Sequence, residues 1–211
     1  MRLLIVGATG ALGRAVVAKA VARRHDVTAL VRDVATAELP DQIRCVRGDV
    51  LDPATLEPAA RDSEAVIFAL GTPSPRQATT LLEEGTANLV AVMKHVGVPR
   101  LICVTLLGVG ESRANAALLY RHIVFRLLSP MVPDKVNQER VVRNSALDWV
   151  IVRPPTIIGG RQGARVRVIR EGEGGRVGLV ARPALAGLLV DAAETQDYSR
   201  QAIVAGRMRE R

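Results

Sequence analysis

An α/β fold built on a doubly wound parallel sheet is predicted by three features of this chain. Short apolar segments alternate with helical ones, the pattern of parallel strands covered by helices on both sides. The first segment, Leu3-Leu4-Ile5-Val6, leads straight into the glycine-rich turn Gly7-Ala8-Thr9-Gly10-Ala11-Leu12-Gly13, and the turn leads straight into a helical stretch from Arg14 to Val21. Apolar residues make up 48% of the 211 residues, which supports one well-cored domain on a chain short for two.

The remaining elements follow in order. Asp26 to Val31 reads as the second strand and Ile43 to Arg47 as the third. Ala65 to Leu70 is unbroken and apolar, as expected of a strand buried on both faces. A helix is expected from Gln77 to His95, then a strand from Leu101 to Thr105. Helical segments over Ala114 to Leu127 and Asp134 to Ser145 precede the strand Trp149 to Val152. Trp149 reads as core, and Glu83-Glu84 as a solvated face. Beyond Gly159 the chain turns rich in glycine and arginine, with a helix expected from Pro183 to Glu194 and a short apolar stretch from Ala202 to Ala205. This tail has too little apolar pattern for a core of its own. Residues 1–211 therefore read as one domain, with 160–211 as a small C-terminal cap.

Composition narrows the function classes. No apolar run approaches the ~20 residues of a membrane helix, and the opening residues read as a strand rather than a signal peptide, so a cytoplasmic protein without a membrane partner is expected. Cys45 and Cys103 both fall in apolar segments, which fits buried free thiols better than a disulfide. No cysteine or histidine cluster has metal-ligand spacing. The net charge of +8 invites a nucleic-acid reading. Against it, the arginines are scattered, and two Phe, two Tyr and one Trp leave little to stack on bases. No nucleic-acid partner is expected.

The glycine-rich turn carries the chemistry. Gly7 suits the tight turn at the strand end, Gly10 lets backbone approach a phosphate, and Gly13 lets the helix pack close to the strand. The N–H groups and positive dipole end of the helix then face a pyrophosphate. In a doubly wound sheet the ligand lies across the carboxyl ends of the strands. That geometry nominates Gly7 to Gly13, Arg32, Asp49, Gly71, Thr72, Thr105, Leu106, Pro154 and Pro155. A dehydrogenase selective for NAD places an acid at the end of the second strand; here Arg32 stands there, and a guanidinium pairs with a 2′-phosphate. Arg14 can approach the same phosphate. NADP(H) is therefore preferred, with NAD(H) kept possible by Asp33, one residue further on.

Taken in order, the glycine motif, Leu30-Val31-Arg32-Asp33, Gly48-Asp49-Val50, Ala69-Leu70-Gly71-Thr72, Glu84-Gly85-Thr86-Ala87-Asn88-Leu89, Asp134-Lys135-Val136, Ser145-Ala146-Leu147-Asp148-Trp149 and Arg153-Pro154-Pro155 resemble the atypical short-chain dehydrogenase/reductase group. Within it the chain looks like the NmrA-like, NAD(P)H-binding branch that includes flavin reductases of the biliverdin reductase B type. The resemblance implies a Rossmann-type doubly wound sheet. It also implies cofactor contacts from Gly7, Ala8, Thr9, Gly10, Ala11, Leu12, Gly13 and Arg14. Asp49 and Val50 would flank the adenine, and Ala69, Leu70, Gly71 and Thr72 would line the ribose side. Pro154, Pro155 and Thr156 would border the nicotinamide. Asp49 and the proline pair have plainer alternatives, since Gly-Asp also makes turns and a proline pair also ends strands.

Departures from the group's pattern shape the expected activity. Typical members carry a Tyr four residues before the Lys as proton donor. Counting back from Lys135 gives Met131, and Tyr120 has Val124 four residues on. The strand-end serine of the family falls at Thr105 or Leu106, and the histidine after the proline pair is Thr156. Lys135 reads either as a nicotinamide-ribose anchor or as a solvent-facing residue paired with Glu139. The expected function is an NADPH-dependent oxidoreductase that transfers hydride to a planar conjugated small-molecule acceptor such as a flavin or quinone, with Lys135 and Thr105 as the site residues. The alternative is a non-catalytic NADP(H)-binding redox sensor that acts on a protein partner.

Overall fold

The computed structural model describes residues 1–72, 74, 77–116, 129–160 and 166–207. Its strands are β1 (Arg2–Val6), β2 (Asp26–Val31), β3 (Arg44–Arg47), β4 (Ala65–Phe68), β5 (Arg100–Val104), β6 (Asp148–Arg153), β7 (Ile157–Ile158), β8 (Arg167–Arg170), β9 (Val180–Ala181) and β10 (Gln201–Gly206). Eight of them form one sheet in the order β3-β2-β1-β4-β5-β6-β10-β8. All pair in parallel except β8, which runs antiparallel to β10 at the edge. β7 and β9 make a separate parallel pair.

Period-two alternation sends neighbouring side chains to opposite cores. Leu3 and Ile5 of β1 join a core completed by Val16 and Val17 of α1 (Ala11–Ala22), while Leu4 and Val6 join the opposite one. That second core is completed by Leu56 of α2 (Pro53–Ala60), Leu82 and Leu89 of α3 (Leu81–Val96) and Val142 of α4 (Val132–Arg143). α5 (Arg182–Glu194) packs beside α1 on the first face. Because strand order reverses between β1 and β4, a crevice opens there at the carboxyl ends of the strands.

Several elements differ from the expectations. α2 was not foreseen because Pro53 and Pro58 look like breakers; in the fold Pro53 starts the helix, and the Asp52 side chain accepts from the Ala54 N–H to cap it. β4 ends at Phe68, although the Ala69 N–H still bonds the Val6 carbonyl at 2.9 Å. The helix expected over 114–127 begins instead as a 3₁₀ turn, Gly110–Asn115, and residues 117–128, including Tyr120, lie outside the described residues. The C-terminal segment adds β8 and β10 to the main sheet and α5 to one of its faces. Cys103 is buried and Cys45 half-buried, both as free thiols.

Candidate functional site

The turn after β1 has the form a diphosphate requires. Gly7 adopts φ +85°, and a Cβ there would meet the Leu70 nitrogen at 2.8 Å. A Cβ on Gly13 would lie 2.0 Å from the Gly7 carbonyl oxygen, so only glycine lets α1 pack this close to its strand. Gly10 occupies the cap position of α1 without a side-chain hydrogen bond, and no acidic residue stands in the first turn. Thr9, Gly10 and Ala11 are exposed, while Ala8 is buried beneath them. The N-terminal amides of α1 are thus offered to solvent at the crevice, which fits an anionic diphosphate. Across the crevice, open space surrounds Gly71, with half-buried Ala69, Leu70 and Thr72 beside it.

At the end of β2 the two charged candidates part company. Asp33 is consumed locally: one carboxylate oxygen accepts from the Ala35 N–H and the other from the Thr36 hydroxyl, both at 3.0 Å. Arg32 is exposed and has no hydrogen-bond or ion-pair partner among the described residues. Arg14 reaches this same end. Its Nε donates to the Thr9 carbonyl at 3.0 Å, and its other nitrogens engage the carbonyl and carboxylate of Glu38, in the segment following β2. Asp49 also works in a turn, with Oδ1 accepting from the Leu51 N–H at 2.9 Å, and the carbonyl of buried Val50 accepts from Asn88.

At the ends of β5 and β6, the ladder continues past the strands: the Thr105 N–H bonds the Val152 carbonyl and the Leu107 N–H bonds the Pro154 carbonyl, both at 2.9 Å. This brings Thr105 and Leu106 beside Pro154 and Pro155, both buried, with Thr156 exposed at the rim. Leu107, next to Leu106, is fully buried in a small third core with Ala116, Ile169, Val177 and Val204, so it backs the wall rather than facing a ligand.

Behind these residues lies a polar cluster. Asp134, Lys135, Gln138 and Glu139 lie on the buried face of α4, where apolar residues are usual. Lys135 is 4% exposed, which excludes the solvent-facing alternative. Its Nζ donates to the Val104 carbonyl and to Gln138 Oε1, each at 3.1 Å, and burial lowers its pKa. Gln138 Nε2 in turn donates to the Thr86 hydroxyl. The Asp134 carboxylate accepts from the Leu82 and Glu83 N–H groups, capping α3 from a neighbouring helix. Thr105 Oγ1 donates to Glu139 Oε1 at 2.6 Å. Arg153 closes the cluster, donating from Nε and Nη2 to the two Glu139 oxygens at 2.9 and 2.6 Å, and from Nη1 to Glu111. Cys103 sits nearby as a bystander, its thiol pushed up to about 12 by burial.

Sequence reasoning named Glu139 only as a surface partner of Lys135 and Arg153 only as part of a family motif, and it missed Gln138. The available signals were an arginine ending an apolar strand and polar residues at 134, 135, 138 and 139, a spacing that shares one helix face.

A doubly wound sheet with an open glycine-rich turn at its switch point defines a dinucleotide-binding domain. The family model described as NAD(P)H-binding matches residues 7–196, and the chain belongs to that family, in keeping with the short-chain reductase resemblance of its motifs. It is 33% identical over 158 residues to the photosystem II assembly factor Ycf39 of Synechocystis, covering 72% of this chain and 44% of that protein. It is 30% identical over 175 residues to the 3-diazoavenalumate denitrifying reductase of a Streptomyces species, covering 75% and 57%. The chain spans about half the length of the curated relatives it matches. Its fold superposes with a TM-score of 0.84 on a Veillonella parvula short-chain dehydrogenase/reductase in complex with NADP, at 19% identity over 98% of this chain and 94% of that one. ChuY, an anaerobillin reductase from Escherichia coli O157:H7, superposes at 0.82 with 22% identity over 100% and 99%. Among the described residues no helix is long and apolar enough to cross a membrane, and no group of side chains has the makings of a metal site.

Proposed function

We propose that this protein is an NADPH-dependent reductase of a planar conjugated acceptor such as a flavin, a quinone or a linear pigment. The observation that carries this reading is the state of Thr105, whose hydroxyl proton is committed to the Glu139 carboxylate. A hydroxyl so engaged is a poor acid for the alkoxide that simple carbonyl reduction generates. Met131 stands four residues before Lys135, where the usual tyrosine would supply that proton. An acceptor that spreads negative charge over a conjugated system avoids the need, because it takes its proton from water after the electron pair has arrived.

NADPH supplies the hydride when bound. The residues of the chain bind and orient. The amides at the start of α1 hold the diphosphate, with Gly7 to Gly13 shaping the turn; Arg32 and Arg14 take the 2′-phosphate, since Asp33 is occupied in its own turn. Asp49 and Val50 border the adenine, and Ala69 to Thr72 line the ribose edge. Lys135, held from below by Val104 and Gln138, has its remaining N–H for the nicotinamide ribose. Thr105, with its proton donated inward, turns lone pairs toward the carboxamide or the acceptor. Pro154, Pro155 and Thr156 form the nicotinamide wall.

The likeness to an assembly factor favours a second reading, a domain that binds NADP(H) without turnover and passes its redox state to a protein partner. The test is steady-state NADPH oxidation with flavin mononucleotide, a soluble quinone and a linear tetrapyrrole. Turnover with any of them supports the reductase. Tight binding of NADPH without turnover across the panel supports the sensor. Substituting Arg32→Ala is expected to weaken NADPH and leave NADH unchanged.

A further inference from the structure

We infer that Glu38 is an internal stand-in for the 2′-phosphate, occupying Arg14 until NADPH displaces it; this rests on the NADPH reading above. The motif places Arg14 one residue past Gly13, yet its guanidinium does not lie along α1. It bridges the Thr9 carbonyl, inside the glycine turn, to the Glu38 carbonyl and carboxylate on the far side of the β2 end, the carboxylate at 3.4 Å. Three groups on two segments converge on one cation at the place where the sheet's geometry puts the adenosine ribose. The backbone at Glu38 is unusual as well, with φ +45°, a left-handed conformation that a residue with a side chain seldom adopts. Strain of this kind persists where surrounding contacts hold it, and among the described residues the polar contacts of Glu38 are those to Arg14.

A carboxylate on an arginine and a phosphate on an arginine are alternatives for the same two-pronged donor. Arg32, one residue beyond β2, has no partner among the described residues and so gives the phosphate a landing point before Arg14 is released. The Glu38 carboxylate is weakly held, with the side chains 39% and 83% exposed for Arg14 and Glu38, so a doubly charged phosphate out-competes it. NADH brings no phosphate and leaves the pair intact. Glu38 thereby sets how strongly the two nucleotides are told apart: it lowers NADPH affinity by the strength of its own pairing and keeps Arg14 neutralised when NADH is bound.

The experiment is calorimetric titration of NADPH and NADH into the wild type and the Glu38→Gln, Glu38→Ala and Glu57→Gln variants. Glu57 pairs with Arg61 on α2 and lies apart from the crevice, so its substitution removes one negative charge without touching Arg14. Exposed ion pairs contribute about 1 kcal/mol or less, which sets the expected gain in NADPH affinity for both Glu38 variants at roughly two- to fivefold. The NADH constant is expected to move no more than it does in Glu57→Gln. Equal gains for both nucleotides, or no gain for NADPH, would overturn the role given to Glu38. A wild type that binds both nucleotides alike would overturn the 2′-phosphate reading itself, whereas clear discrimination with an inert Glu38 would overturn this inference alone.

Discussion

Arg153 grips Glu139 through two hydrogen bonds, and the two side chains are 2% and 5% exposed between β6 and α4. A charge pair this deep loses much hydration, and only good geometry compensates. The geometry is good here because Thr105 donates to the same carboxylate and Glu111 takes the remaining edge of the guanidinium. Removing one member strands the other. Glu139→Ala or Arg153→Ala is expected to destabilise the fold by about 3–5 kcal/mol, read from urea denaturation at pH 7. The pair Glu139→Leu with Arg153→Met is expected to cost less than either single change. A purely additive double variant would show that the two do not act together.

Glu111 gives the fold a measurable response to acid. Burial would raise its pKa, but the hydrogen bond from Arg153 prevails and brings it to about 2. A carboxylate depressed in the folded state contributes stability that is present above its unfolded pKa near 4.5 and is lost as pH falls through the folded value, here between about pH 4.5 and 2. Its side chain is 48% exposed, so solvent screening holds the contribution to about 1 kcal/mol. Glu111→Gln is expected to lower stability by that amount at pH 7, with the difference from wild type shrinking progressively below pH 4.5. Denaturation midpoints collected from pH 7 to pH 2.5 check both sign and window.

Lys135 is expected to act on both nucleotides alike. Lys135→Met keeps most of the buried stem and removes the ammonium, leaving the Val104 carbonyl and Gln138 Oε1 without their donor. Loss of one charge-assisted hydrogen bond to the ribose corresponds to roughly a tenfold rise in Kd for NADPH and for NADH. This pattern separates Lys135 from Arg32, whose loss is expected to touch NADPH alone. A variant that melts earlier but binds both nucleotides normally would reduce Lys135 to a structural role.

The layers of the fold were legible because strands such as Val66-Ile67-Phe68 and turns such as Gly7 to Gly13 declare themselves through local pattern alone. The polar cluster was not. The sequence left Lys135 open between a ribose anchor and a solvent-facing partner of Glu139, and only the placement of β5 and β6 behind α4 buries residues 134, 135, 138 and 139. The same holds for Glu38, an ordinary loop acid in the sequence that tertiary contact assigns to Arg14. Asp33 shows the reverse: the sequence left open whether it serves a ribose, and its two bonds to Ala35 and Thr36 answer for a turn. β8 and the β7–β9 pair escaped notice because short strands among glycines and arginines carry little period-two signal.

Two glycines at the crevice are expected to answer a small substitution in opposite ways. A methyl group on Gly13 would fall 2.0 Å from the Gly7 carbonyl oxygen, and both atoms belong to backbone, so relief requires α1 to move away from β1. Gly13→Ala is therefore expected to cost about 3 kcal/mol or more, at the upper end of overpacking, despite the better helix propensity of alanine. Gly71 has nothing within 4 Å of the same added atom, so Gly71→Ala is expected to leave the melting temperature where it was. Its effect should appear only when the cofactor is present, as a weaker Kd for both nucleotides, because the proposed cofactor placement runs the ribose edge through the open space beside Gly71. Melting curves with and without NADPH separate the two: an unchanged shift on adding NADPH to Gly71→Ala would place the cofactor away from the end of β4.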